Sequence, residues 1–290
     1  MIDYVPTADG RLLAVEQSGD PQGHPVFFMH GTPGSRVGPV PSESELRQRG
    51  VRLISFDRPG YGFSDRQVSR TVADVAADVA AIADALGVGQ RFAVIGRSGG
   101  GPHALACAAL LPTRVTRAAA LVSLAPWDAK DLDWFDGMAL SNVDAYKTAH
   151  VNPELLGRRL MQAAAKIRVD PTSHLAVLET EMSEEDQRIV ADGEVRTLLA
   201  QNYAEALRNS ADGWVDDVLA FCSPWGFEVS DIRIPVRLWH GGEDVFSPVS
   251  HTYWLAKRIP EADFETPPDR AHFGALEVLP DVLSWLTMSL

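Results

Sequence analysis

Gly96-Arg97-Ser98-Gly99-Gly100 is a G-x-S-x-G pentapeptide, preceded by the apolar run Phe92 to Ile95 and followed by the helix-like stretch Pro102 to Leu111. A serine on such a strand-to-helix turn is lifted clear of the sheet, and small neighbours are needed because side chains there would collide with the adjoining strand or helix. The next backbone N–H, that of Gly99, falls at a helix N-terminus, where developing negative charge is stabilised. A serine hydroxyl is a poor nucleophile at neutral pH, so it needs a base, and the base needs an orienting acid. Of the eight histidines, His272 stands between the last strand-like and last helix-like segments. Asp244, with Glu243 beside it as a second candidate, ends the loop after the preceding strand. The order Ser98, Asp244, His272 is that of one established serine-triad topology. His30-Gly31-Thr32-Pro33-Gly34 follows the first buried strand and offers a second oxyanion donor: the Thr32 N–H beside that of Gly99, since Pro33 has none. The Thr32 hydroxyl is expected as a third donor, and His30 is expected to hold its loop by hydrogen bonds. The plain alternatives are a glycine-rich helix cap at residues 96–100 and a helix N-cap at Asp244.

These residues require a sheet whose strand ends converge. Residues 25–29, 51–56, 92–95 and 118–124 are apolar without alternation, as strands buried on both faces are. Between the second and third runs, Val72, Val75, Val79, Ile82 and Leu86 step along one helix face, with Thr71 and Asp74 as a capping box and Gly87 as terminator. The predicted class is therefore α/β, with a mostly parallel central sheet flanked by helices. After Trp127 the sequence turns helix-like without a convincing strand as far as Trp225. Strand-like sequence resumes at 235–239, with a helix over 248–258, a short strand near 262–266 and a last helix over 274–286. The expected organisation is a core of residues 1–126 and 228–290 with a helical cap of residues 127–227.

The chain has 290 residues, of which 46% are hydrophobic and 22% charged, which excludes disorder and small disulfide scaffolds. Its net charge of −13 leaves no basic footprint for nucleic acid or an anionic membrane surface. Two cysteines, Cys107 and Cys222, form neither a disulfide framework nor a metal knuckle, no signal-peptide pattern opens the chain, and no apolar run is long enough for a membrane span. A cytoplasmic setting is expected, and neither a metal nor another cofactor is indicated. Residues 127–226 hold 18 Asp and Glu against 9 Lys and Arg, a balance of −9. If some of that charge faces the entrance, anionic substrates are disfavoured, so the expected partner is a small neutral or apolar acyl compound. Trp127 is expected to line the pocket. Arg97 is placed to contact substrate, pack against the cap or form an ion pair, and the Asp216-Asp217 pair either to bind a polar substrate group or to cap a helix.

The sequence resembles the α/β-hydrolase superfamily. His30 to Gly34, Asp57-Arg58-Pro59-Gly60-Tyr61-Gly62-Phe63-Ser64-Asp65, the pentapeptide at 96–100, Gly241-Gly242-Glu243-Asp244 and Ala271-His272 occur in the family's order. The resemblance covers residues 11–126 and 228–290. It implies Ser98 as nucleophile, His272 as base, Asp244 as its partner, and Thr32 with Gly99 as oxyanion donors. Ser98 argues against the dehalogenases and epoxide hydrolases of this fold, which use an Asp nucleophile. Thr32 and Gly99 depart from the His-Gly-Gly-Pro-Gly and Ser-Trp usual in proline iminopeptidases. The expected activity is a serine hydrolase cleaving an ester or lactone. An aminopeptidase-like or C–C bond hydrolase and a sensing protein with weak turnover are the alternatives.

Overall fold

A computed structural model of the chain describes residues 2–89, 91–260 and 262–288. They form the strands β1 (Asp3–Pro6), β2 (Leu12–Gly19), β3 (His24–Met29), β4 (Val51–Phe56), β5 (Phe92–Arg97), β6 (Val115–Leu121), β7 (Val236–Trp239) and β8 (Ala262–Glu265). The helices are α1 (Glu43–Gln48), α2 (Val75–Ala85), α3 (Gly100–Leu110), α4 (Leu140–Val151), α5 (Pro153–Val169), α6 (Ser173–Glu179), α7 (Glu184–Val190), α8 (Gly193–Ala206), α9 (Asp212–Phe221), α10 (Ser250–Ala256) and α11 (Gly274–Thr287). The strands make one sheet in the order β1-β2-β4-β3-β5-β6-β7-β8. β1 and β2 pair antiparallel, as do β2 and β4, and the remaining neighbours are parallel.

The apolar runs are continuous because both faces of the sheet are covered. Successive residues point to opposite sides: Phe27, Ile54, Val94 and Ala120 join Val79 and Ile82 of α2 and Leu105 of α3 in one core. Phe28, Leu53, Ile95 and Leu121 join Leu46 of α1 and Leu279, Val282 and Leu283 of α11 in the other. The edge pair β1 and β2 was not foreseen, since half-exposed strands such as this, with Tyr4 and Leu12 at the surface, lack the long apolar run. The run read as 118–124 lies three residues late: β6 stops at Leu121, and Val122 turns to φ +46. The Thr71–Asp74 capping box is only half formed. The Asp74 carboxylate accepts from the Thr71 N–H and hydroxyl at 2.6 and 2.8 Å, so that hydroxyl donates instead of accepting from the helix. At the other end of α2, the Val88 and Gly87 N–H groups return to the Ala83 and Asp84 carbonyls, with Gly87 at φ +59.

Between β6 and β7 the chain forms α4 to α9, and residues from these helices join the ends of β5 and the loop after β3 around one cavity. No helix among the described residues is long and apolar enough to cross a membrane.

Candidate active site

The pentapeptide turn depends on two close approaches. A Cβ on Gly96 would lie 2.0 Å from the Gly100 carbonyl oxygen, and one on Gly100 would lie 2.1 Å from that of Met29. The tight turn between β5 and α3 holds Ser98 at φ +55, a left-handed conformation that non-glycine residues adopt only when their surroundings enforce it. Its N–H donates to the Leu121 carbonyl at 2.8 Å, and its own carbonyl accepts from Gly101 at 2.8 Å. The side chain opens on a cavity of about 270 Å³, which His272 also lines. No hydrogen bond joins Ser98 Oγ to His272 in this structure.

His272 Nδ1 donates to Asp244 Oδ2 at 2.8 Å, which leaves Nε2 as its free ring nitrogen. Asp244 is buried and heavily bonded. Its Oδ1 accepts from the Phe246 and Ser247 N–H groups at 2.8 and 3.0 Å, and Oδ2 also lies 3.1 Å from His240 Nε2. Burial alone would raise its pKa, but the neighbouring His272 charge and the hydrogen bonds from His240 and His272 hold the carboxyl well below its usual range. The turn-capping role and the histidine-orienting role thus coexist in Asp244. Glu243 is exposed, and its side chain makes no hydrogen bond among the described residues.

Thr32 and Gly99 lie against each other: a Cβ on Gly99 would sit 2.2 Å from Thr32 Oγ1. Neither amide has a hydrogen-bond partner among the described residues, and both residues line the cavity with Ser98. The Thr32 hydroxyl, however, is not a third donor to that space. It donates to Asp217 Oδ2 at 2.6 Å and accepts from Arg58 Nη2 at 3.0 Å, because a buried carboxylate on α9 draws it away. His30 holds its loop as expected: Nε2 accepts the Arg58 N–H at 3.1 Å, which makes Nδ1 the protonated nitrogen, 2.8 Å from the Gly31 carbonyl.

Neither Asp216 nor Asp217 lines the cavity. Asp216 pairs with Arg66 at 2.8 Å, while Asp217 pairs with Arg58 at 2.5 Å and Arg70 at 2.6 Å and accepts from the Tyr61 hydroxyl at 2.8 Å. Burial works against the Asp217 charge, but the two guanidinium groups hold its pKa well below the ordinary value. Residues 57–65 are therefore the frame of the site: Asp57 binds Arg36, Arg58 ties down the loop after β3, and Tyr61 reaches α9.

Arg97 lines the cavity, but Trp127 does not. The Trp127 ring instead packs on Trp134, Phe135 and His150 at centroid distances of 5.0, 5.5 and 5.9 Å, an aromatic cluster that takes it out of the pocket. Trp214, Tyr203 and His174 are among the aromatic residues that line the cavity. Burial lowers the His174 pKa to about 4 and keeps the ring neutral. Three further groups support His272 and were not singled out from the sequence. Ser247 Oγ donates to the Val122 carbonyl at 2.8 Å and lies 3.3 Å from Asp244 Oδ2, His240 backs the same carboxylate, and Asp186 of α7 accepts the N–H groups of His272 and Phe273 at 3.3 and 2.6 Å. His240 and Ser247 flank Asp244 within four residues, a local hint, whereas nothing near Asp186 in sequence points to residue 272.

A "Probable proline iminopeptidase" of Leptolyngbya boryana is 26% identical to this chain over 297 aligned residues, which cover 92% of the chain and 87% of that protein. Among solved structures, the enol-lactonase from Burkholderia xenovorans LB400 superposes with a TM-score of 0.71 at 16% identity, covering 98% of each chain. A putative aryl esterase from Burkholderia cenocepacia gives 0.69 at 21% identity, covering 99% of this chain and 97% of that one. At such identities the structural matches establish the fold alone. A family model described as the alpha/beta hydrolase fold matches residues 24–277, and on that match, with the sheet order and the Ser98 turn already described, the chain belongs to the alpha/beta hydrolase family.

Proposed function

We propose that the protein is a serine hydrolase that cleaves a carboxylic ester or lactone of a small molecule through an acyl-enzyme. The observation that carries this reading is Ser98, held at φ +55 and facing the same cavity as a histidine whose Nδ1 is fixed by a buried, ionised Asp244. His272 Nε2 takes the Ser98 proton as the oxygen attacks the carbonyl carbon. The Thr32 and Gly99 amides receive the oxyanion, and the protonated imidazole then gives its proton to the departing alcohol. Water, deprotonated by His272, attacks the acyl-enzyme and releases the acid. Asp244 stays ionised throughout and stabilises the imidazolium. A serine–histidine contact that closes only around substrate is common in such sites.

The iminopeptidase relative supports a second reading, release of an N-terminal residue, which requires a place for a cationic amine. Cavity chemistry favours the ester. No Asp or Glu among the described residues lines the cavity, whereas Arg97 does. Ser98→Ala is expected to lower kcat for p-nitrophenyl esters by about 10³-fold or more and to abolish labelling by a fluorophosphonate. Retained turnover in that variant removes Ser98 from the mechanism, and exclusive cleavage of aminoacyl arylamides by the parent protein favours the second reading.

A further inference from the structure

Arg97 is buried to within 6% of full enclosure, yet its guanidinium has no counter-ion within ion-pairing distance among the described residues. Among the described residues, its buried Nε and Nη1 have no hydrogen-bond partner. The two acids whose charges act on it are already committed: Asp244 to His272, His240 and two backbone amides, and Asp186 to the N–H groups of His272 and Phe273. Its protein contact is a face-on approach to the Phe273 ring at 5.7 Å, which places the group without satisfying its donors. An arginine remains protonated at any physiological pH. Among the described residues that line the cavity it is the one arginine or lysine, and none of them is an Asp or Glu. An unpaired cation with free donors, desolvated beside the nucleophile, is an anion site waiting for its anion.

We propose that Arg97 binds a carboxylate of the substrate, so that the ester or lactone hydrolysed here is an anionic one. The inference rests on the hydrolytic reading above. It also limits the distance between the two groups. A Cβ built on Gly31 would lie 3.7 Å from Ser98 Cβ and 3.8 Å from Arg97 Nη2, so these two atoms are separated by no more than about twice that. The substrate carboxylate therefore lies only a few carbons from the scissile carbonyl, as in a half-ester of a short dicarboxylic acid or a lactone with a short carboxylate arm. The acidic balance of residues 127–226 suggested a neutral substrate, but that balance does not reach the cavity wall.

The test compares charged and neutral esters of matched size: monophenyl glutarate against phenyl pentanoate for a carboxylate on the acyl side, and 4-carboxyphenyl butyrate against phenyl butyrate for one on the alcohol side. The parent protein is expected to prefer one charged ester by tenfold or more in kcat/KM. Arg97→Gln is expected to cut the charged-to-neutral ratio by tenfold or more, and Arg97→Lys to restore part of it. A purely structural role would change both members of a pair alike. Glutarate binding to the parent protein, measured by calorimetry, reads the site without turnover or a variant. Preference for both neutral esters together with no glutarate binding overturns the anion site and leaves the hydrolase standing. Glutarate binding that Arg97→Gln abolishes, with no ester hydrolysed by the parent, keeps the anion site and overturns the hydrolytic reading.

Discussion

Asp244 makes more bonds than orienting a histidine demands, and each has a physical purpose. Two backbone N–H groups fix one oxygen, and His240 and His272 share the other, so the carboxylate cannot rotate away from Nδ1. Asp244→Asn keeps the shape but places an amide NH₂ or a neutral oxygen against Nδ1, disturbing both tautomer and charge. A fall in kcat of about 10⁴-fold is expected in steady-state ester hydrolysis, with KM little changed. That Ser98, Asp244 and His272 come together was legible from sequence because each stands in a short loop at a strand end, marked by a few consecutive residues. The Thr32 hydroxyl was misread for the opposite reason. Its partner, Asp217, is 185 positions away on a helix whose packing no local pattern reveals.

At the level of elements, the buried parallel strands were readable since complete burial leaves an uninterrupted apolar run, and β1 with β2 was not since half-exposed strands blend with loops. α7 was equally silent about its task of holding the segment after β8 through Asp186. Burial raises the Asp186 pKa from 3.8 to about 6, against the opposing pull of His272 and the two backbone N–H groups. A carboxyl raised in this way contributes stability that is fully present below its unfolded pKa of about 3.8 and is lost as pH rises through about 6. Asp186→Asn removes that titration. The unfolding free energy of the parent protein relative to the variant is therefore expected to fall by up to about 3 kcal/mol between pH 3.5 and pH 7. Urea unfolding of both proteins at the two pH values measures it, and a constant difference would show that Asp186 titrates normally.

Across the whole molecule, part of the negative charge of residues 127–226 is answered by arginines elsewhere in the chain. Glu205 pairs with Arg36 at 2.6 Å, Asp212 and Asp216 with Arg66 at 2.9 and 2.8 Å, Asp217 with Arg58 and Arg70, and Glu185 with Arg270 at 2.8 Å. The exposed pairs add little, but Asp217 is fully enclosed, and removing one partner of a buried ion pair strands the others. Asp217→Ala is expected to destabilise the fold by about 3–5 kcal/mol, read as a lower urea midpoint. Arg58 and Arg70 give that carboxylate a further consequence. The helices over the cavity cannot be exchanged between related hydrolases as a self-contained cassette. A chimera carrying a foreign segment in place of residues 127–226 must bring an acid to the position of Asp217, or else have both arginines replaced by neutral residues. Without either change, the graft inherits two buried cations and a loop after β3 that has lost its anchor.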